Sequence, residues 1–211
     1  MFCLSLKENK LKSIGSEDFK QIVFTTDQQL HILSHFNTID TNYKKQLINQ
    51  GMKEDDIEKR LQMNGSKFLY SFAENPIRLW SKIVAALDDA KAVFPIHNNK
   101  CEIQLTFSKE EYPEGIGLDS LMAVNELNAK YQSEISMQVR GNYTVKTLER
   151  VMNPSWLANV ILYIDKTNTI ILSIFPGKYA PPFPDKNKQT ESFFMQNKQF
   201  WDQHVMLTKK T

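Results

Sequence analysis

Cysteine is nearly absent from this chain. Cys3 and Cys101 are the whole complement, too few and too far apart for a disulfide framework or a paired-cysteine metal site. They read as two reduced thiols of a cytoplasmic protein. An excess of either charge is missing too: 26 Lys and Arg stand against 24 Asp and Glu, a net charge of +2. Such a balance permits nucleic-acid binding without announcing it. No apolar run approaches the roughly 18 residues of a membrane span. Met1 to Ile14 mixes lysines with isolated hydrophobes, so no secretory signal is expected there either. The chain is expected to be cytoplasmic, or to reach a target cytoplasm by a route its sequence does not display. Phosphate-binding loops, dinucleotide fingerprints, nucleophile elbows and the HExxH pair are all missing.

What is present is a change of texture near residue 95. The first half reads as helical. Thr26 or Asp27 can cap one helix, and Asp40 or Thr41 a second that stops at Gly51. Lys53 to Met63 is a charged amphipathic stretch with Ile57 and Leu61 at i, i+4, closed by Asn64-Gly65. Pro76 fits the first turn of a helix carrying Leu79, Trp80, Ile83, Val84 and Leu87. Beyond Pro95 the texture is that of strands: Glu102 to Phe107 and Glu134 to Arg140 alternate, and Asn159 to Asp165 and Thr169 to Phe175 are two apolar runs with a hairpin connection at Lys166-Thr167-Asn168. Gly117 to Leu127 reads as a short helix, and Thr190 to His204 as a closing aromatic helix. The fold class is therefore α+β, a helical region 1–95 followed by a region 96–211 built on a mostly antiparallel sheet of about four strands.

The densest signal is Ser173 to Pro184, SIFPGKYAPPFP, which holds four of the eight prolines and one of the seven glycines. A strand that ends in a rigid, aromatic, cationic loop is built to present a site. Ser173 sits at the strand end, and Lys178 and Tyr179 follow the Gly177 turn. Pro181-Pro182-Phe183-Pro184 is forced into an extended path. A hydroxyl and a cation beside a stacking ring suit a phosphate and its base, with Tyr179 and Phe183 as the substrate-binding aromatics. Arg140, at a strand end before Gly141-Asn142, can fork onto phosphate oxygens. His204, close after Phe200-Trp201, is the candidate proton-transfer group. Other features read as structural. His31 and His35 share a helix face with no third ligand, His97 sits in a turn, and Glu110 to Gly117 is a solvated acidic segment.

The order of helices then strands, the segment Ser173-Ile174-Phe175-Pro176 and the late aromatic-plus-histidine stretch carry a resemblance. From about Cys101 to Val205 the chain resembles the barnase, EndoU, colicin and RelE-like bacterial ribonuclease toxin domains. That resemblance implies helices packed on a four-stranded antiparallel sheet, and a metal-independent cleavage of RNA with no cofactor. The expected function is thus an RNA-cleaving toxin or effector domain, with His204, Arg140, Lys178 and Ser173 as catalytic residues. Its expected partners are RNA and a protein inhibitor or immunity protein. The rival reading is a non-enzymatic interaction module of immunity or phage-accessory type, docking through the proline-rich loop and the Phe193, Phe194, Phe200 and Trp201 cluster.

Overall fold

A computed structural model describes residues 26–63, 65–87, 91–95, 100–164 and 169–208. Among these residues four helices come first: α1 (Thr26–Leu33), α2 (Thr41–Asn49), α3 (Glu54–Leu61) and α4 (Pro76–Ala86). Their starts are chemically fixed. The Asp40 carboxylate accepts the Tyr43 N–H, and the Asn75 side chain accepts the Arg78 N–H with Pro76 in the first turn. Gly51 follows α2 at a φ of +95°, where a side chain would be strained. Glu54, Asp55 and Asp56 begin α3, and Lys59 and Arg60 end it, matching the helix dipole.

The strands are β1 (Lys67–Phe68), β2 (Lys91–Pro95), β3 (Lys100–Thr106), β4 (Gly117–Asp119), β5 (Leu121–Ala123), β6 (Ser136–Arg140), β7 (Tyr143–Glu149), β8 (Asn153–Ser155), β9 (Leu157–Ile164), β10 (Thr169–Pro176) and β11 (His204–Thr208). Helix α5 (Ala129–Ser133) precedes β6, and α6 (Glu191–Gln203) precedes β11. Among the described residues these strands form three mostly antiparallel sheets, so the fold is α+β. One four-stranded sheet runs β10-β9-β3-β2, a second runs β5-β11-β7-β6, and a small sheet joins β1, β4 and β8. The strand expected at 134–140 therefore pairs in a different sheet from the other three. The β9–β10 connection expected as a hairpin lies outside the described residues, as does His97.

One core joins the helices to the first sheet: Ile32, Leu33, Leu47, Leu79 and Ile83 pack with Ile103, Leu105, Val160, Leu162 and Ile174. Cys101 is buried in the same core, which pushes its thiol up to about 11 and leaves it unreactive. The second sheet is covered on one side by Trp201 of α6, against Leu121 and Val145. On its other side Met122, Leu148, Val205 and Leu207 pack with Leu127 and Tyr131.

The helix expected over Gly117 to Leu127 is two strands and a single 3₁₀ turn, Val124–Glu126. Two contacts explain the difference. The Asp119 carboxylate accepts the Leu121 N–H at 2.9 Å, a local turn that competes with helix. A side chain at Gly117 would lie 2.5 Å from Pro176 Cβ, so this backbone packs flat against the end of β10.

Candidate functional site

Alternation along β3, β9 and β10 sends one set of side chains to the helices and the other to the opposite face. Cys101, Ile103, Leu105, Ala158, Val160 and Leu162 belong to the helix-facing core. Glu102, Gln104, Asn159 and Ile161 therefore share the second face. On β10 regular alternation from buried Ile171 would turn Ser173 into the core. A register shift between Ile171 and Ser173 prevents this: Ile171 lies opposite Leu162, but Ser173 lies opposite Ile161 and Phe175 opposite Asn159. The bulge re-aims Ser173 onto the face that carries Glu102, with Glu102, Ile161 and Ser173 in one cross-strand row. The next row along is Gln104, Asn159 and Phe175. At about 4.8 Å per strand, each row spans about 10 Å.

The loop after β10 is tied onto this face. Fully buried Asn159 accepts from Gln104 Nε2 at 3.3 Å and donates its own amide to the Gly177 carbonyl. Gly177 sits at a φ of +92° with no room for a side chain, which would meet Asp119 Cγ at 2.6 Å. Asp119 in turn accepts the Lys178 N–H at 3.0 Å. Burial raises the Asp119 carboxyl above the usual carboxylate range, against the two N–H bonds and Lys178, which lower it. Held this way, the turn directs Tyr179 back over the sheet, 6.4 Å from the Phe175 ring. The Tyr179 phenol is raised by burial first and then by the nearby Glu102 charge.

Glu102 is the group that sequence reading missed. It is 7% exposed, and burial pushes its carboxyl up to about 7. A carboxyl poised there can accept or give a proton at neutral pH. Its signal in the sequence was the alternation Glu102-Ile103-Gln104-Leu105, which separates a polar face from an apolar one without showing that the polar face is buried.

The expected site residues divide between the sheets. Ser173 and Tyr179 lie on or over the second face of the first sheet. Lys178 is exposed beside them and pairs with Glu126 at 3.6 Å. Such a surface pair holds its ammonium only weakly. Arg140 ends β6 opposite Tyr143, and His204 begins β11 opposite Ala123, at one end of the second sheet with β7 between them. The His204 ring stacks on Phe200 with centroids 4.0 Å apart, and its Nδ1 donates to the Phe200 carbonyl at 2.8 Å. Phe183 packs on Trp201 with ring centroids 4.7 Å apart, and Trp201 Nε1 donates to the Pro181 carbonyl at 3.1 Å. The prolines thus carry the chain from the first sheet to the second.

No helix among the described residues is long and apolar enough to cross a membrane. Compared with protein-family models, with curated proteins and with solved structures, the chain matches none.

Proposed function

We propose that this chain is a metal-independent RNA-cleaving domain, of the toxin or effector kind, whose site is the second face of the first sheet. The observation that carries the reading is the β10 bulge, which places Ser173 in one row with a carboxyl held near neutrality. The Glu102 carboxylate takes the proton of a ribose 2′-hydroxyl as that oxygen bonds to the adjacent phosphorus. The bond from phosphorus to the 5′-oxygen breaks, the leaving oxygen takes a proton from the Tyr179 hydroxyl, and a 2′,3′-cyclic phosphate remains. Lys178 turns from Glu126 to the charge developing on the phosphate, and Ser173 and Gln104 fix the phosphate and sugar oxygens. Phe175, beside Tyr179, offers a ring to a flanking base. In this scheme the proton acceptor is Glu102, and His204 supports the second sheet.

The test is cleavage of single-stranded RNA by the purified chain in the presence of a chelator. Glu102→Gln is expected to lower kcat/KM by about 10² or more, the scale of a lost general base. The wild-type rate is expected to rise with pH through about 7, as Glu102 ionises, and the variant to lose that rise. His204→Ala is expected to change the rate by less than about threefold, far below the cost of losing a proton-transfer group. RNA left intact across a broad panel would discard the reading in favour of the interaction module.

A further inference from the structure

Strand β6 is an edge without the usual protection. Among the described residues it pairs with β7 alone, and Ser136, Met137, Gln138 and Val139 are all exposed. Met137 and Val139 are 62% and 71% exposed, a high value for apolar side chains on adjacent same-face positions. Edge strands are normally blunted by charge, proline or brevity. Here Arg140 at the end is the single charge in Ser-Met-Gln-Val-Arg.

The hairpin fixes which backbone groups are free. Arg140 and Tyr143 close a two-residue turn, Gly141-Asn142, so they form a hydrogen-bonded pair. Antiparallel pairs alternate, which makes Gln138 with Val145 and Ser136 with Thr147 hydrogen-bonded as well. The N–H and C=O groups of Met137 and Val139 consequently point away from β7. The two residues with free backbone groups are the two with exposed apolar side chains.

We propose that β6 pairs antiparallel with β6 of a second copy of this chain about a two-fold axis through Gln138. In that register Met137 lies opposite Val139 of the partner and Val139 opposite the partner's Met137. The outward N–H and C=O groups are exchanged in both pairs, and the apolar side chains meet across the seam. Gln138 faces its own counterpart in the non-hydrogen-bonded central pair. Charge agrees with this arrangement. Arg140 lies opposite the neutral Ser136 of the partner, and beyond it comes the partner's Glu134, the exposed cap at the end of α5. The buried Nε of Arg140 has no hydrogen-bond partner among the described residues. The two second sheets then join into one of eight strands. Five residues a side bury well under the roughly 1,600 Å² of a standard interface, so the dimer is weak, with a Kd of about 10–100 μM.

The inference is independent of the ribonuclease reading. Sedimentation equilibrium of the intact chain from about 10 μM to about 1 mM is expected to show a monomer–dimer equilibrium. Val139→Pro removes an outward N–H in each copy and is expected to remain monomeric. Gln138→Glu sets two like charges opposite each other and is expected to raise the Kd severalfold. Gln138→Cys is expected to cross-link under mild oxidation, because Cα atoms in such a central pair lie about 4.5 Å apart, within disulfide reach. A monomer throughout that range overturns the proposal and leaves the edge to a strand from another protein. A dimer that neither weakens with Gln138→Glu nor cross-links with Gln138→Cys overturns it as well. Both variants change an exposed side chain, so they decide the matter even where Val139→Pro fails to fold.

Discussion

Glu102 and His35 are two buried titratable side chains that oppose each other in their effect on stability. Glu102 has a carboxyl at about 7 in the folded chain, against an ordinary 4.5. Between those values the folded state keeps a proton that the unfolded state has lost, so stability falls as pH rises through that window. The most this can remove is about 3 kcal/mol. His35 is lowered to about 4 from 6.5, chiefly by burial, while its Nδ1 donates to the Ser66 carbonyl at 3.0 Å. Here the unfolded state takes up the proton first, so stability falls as pH drops from about 6.5 towards 4. The two slopes offset each other in the wild-type chain. Glu102→Gln removes one of them. Urea unfolding of this variant should show it gaining up to about 3 kcal/mol over wild type at pH 8, and nothing below pH 4.5. An equal gain at both pH values would mean that the Glu102 charge is not what costs stability.

At the scale of elements, the contact with the largest consequence is Lys67 on β1. It is 2% exposed, and its ammonium donates to the carbonyls of Ser34, Phe36 and Leu61 at 2.6, 3.1 and 3.0 Å. Ser34 follows the end of α1 and Leu61 ends α3, so one cation satisfies the last carbonyls of two helices and holds both to the sheet beside β4. Lys67→Met keeps the aliphatic stem and removes all three bonds. Its expected cost is about 3 kcal/mol or more, because the carbonyls stay buried without a donor. Denaturant unfolding measures it directly, and a loss under about 1 kcal/mol would mean that water replaces the ammonium. A lysine in a two-residue strand gives no local sign of this role. The cap at Asp40 and the helix start at Pro76 were legible in sequence, since each acts on backbone within a few residues of itself; the caps at Asn75 and Thr190 are added by the structure.

For the whole molecule, the second four-stranded sheet is joined to the small sheet and to the first four-stranded sheet at three places among the described residues. β4 and β5 are separated by Ser120 alone, yet belong to different sheets. The Asp119 carboxylate holds both the Leu121 and the Lys178 N–H groups. The segment from Pro176 to Pro184 ends against Trp201, through Phe183 and the Pro181 carbonyl. Unfolding is therefore expected as one transition, with tryptophan fluorescence and far-ultraviolet circular dichroism coinciding. Phe183→Ala, which empties the ring's place on Trp201, should shift both signals together and cost about 2 kcal/mol. Two separated transitions would show the sheets to be independent units.

The sequence by itself determined the class and most of the elements. Alternation at 102–107 and 134–140, the apolar run 159–165, the Asp40 and Pro76 signals and the aromatic run 190–204 are local patterns, and their physics acts over a few residues. Only the tertiary structure decided the site. Ser173 shares a sheet face with Glu102 because of an extra residue in β10 that pairing with β9 reveals. The Gly117 to Leu127 segment is extended because Asp119 and Pro176 lie against it. His204 and Arg140 went to the second sheet through a parallel pairing of β11 with β7 that brings position 206 beside 147. The acidity of Glu102 depends on how much water the fold removes from it, a quantity that long-range packing sets.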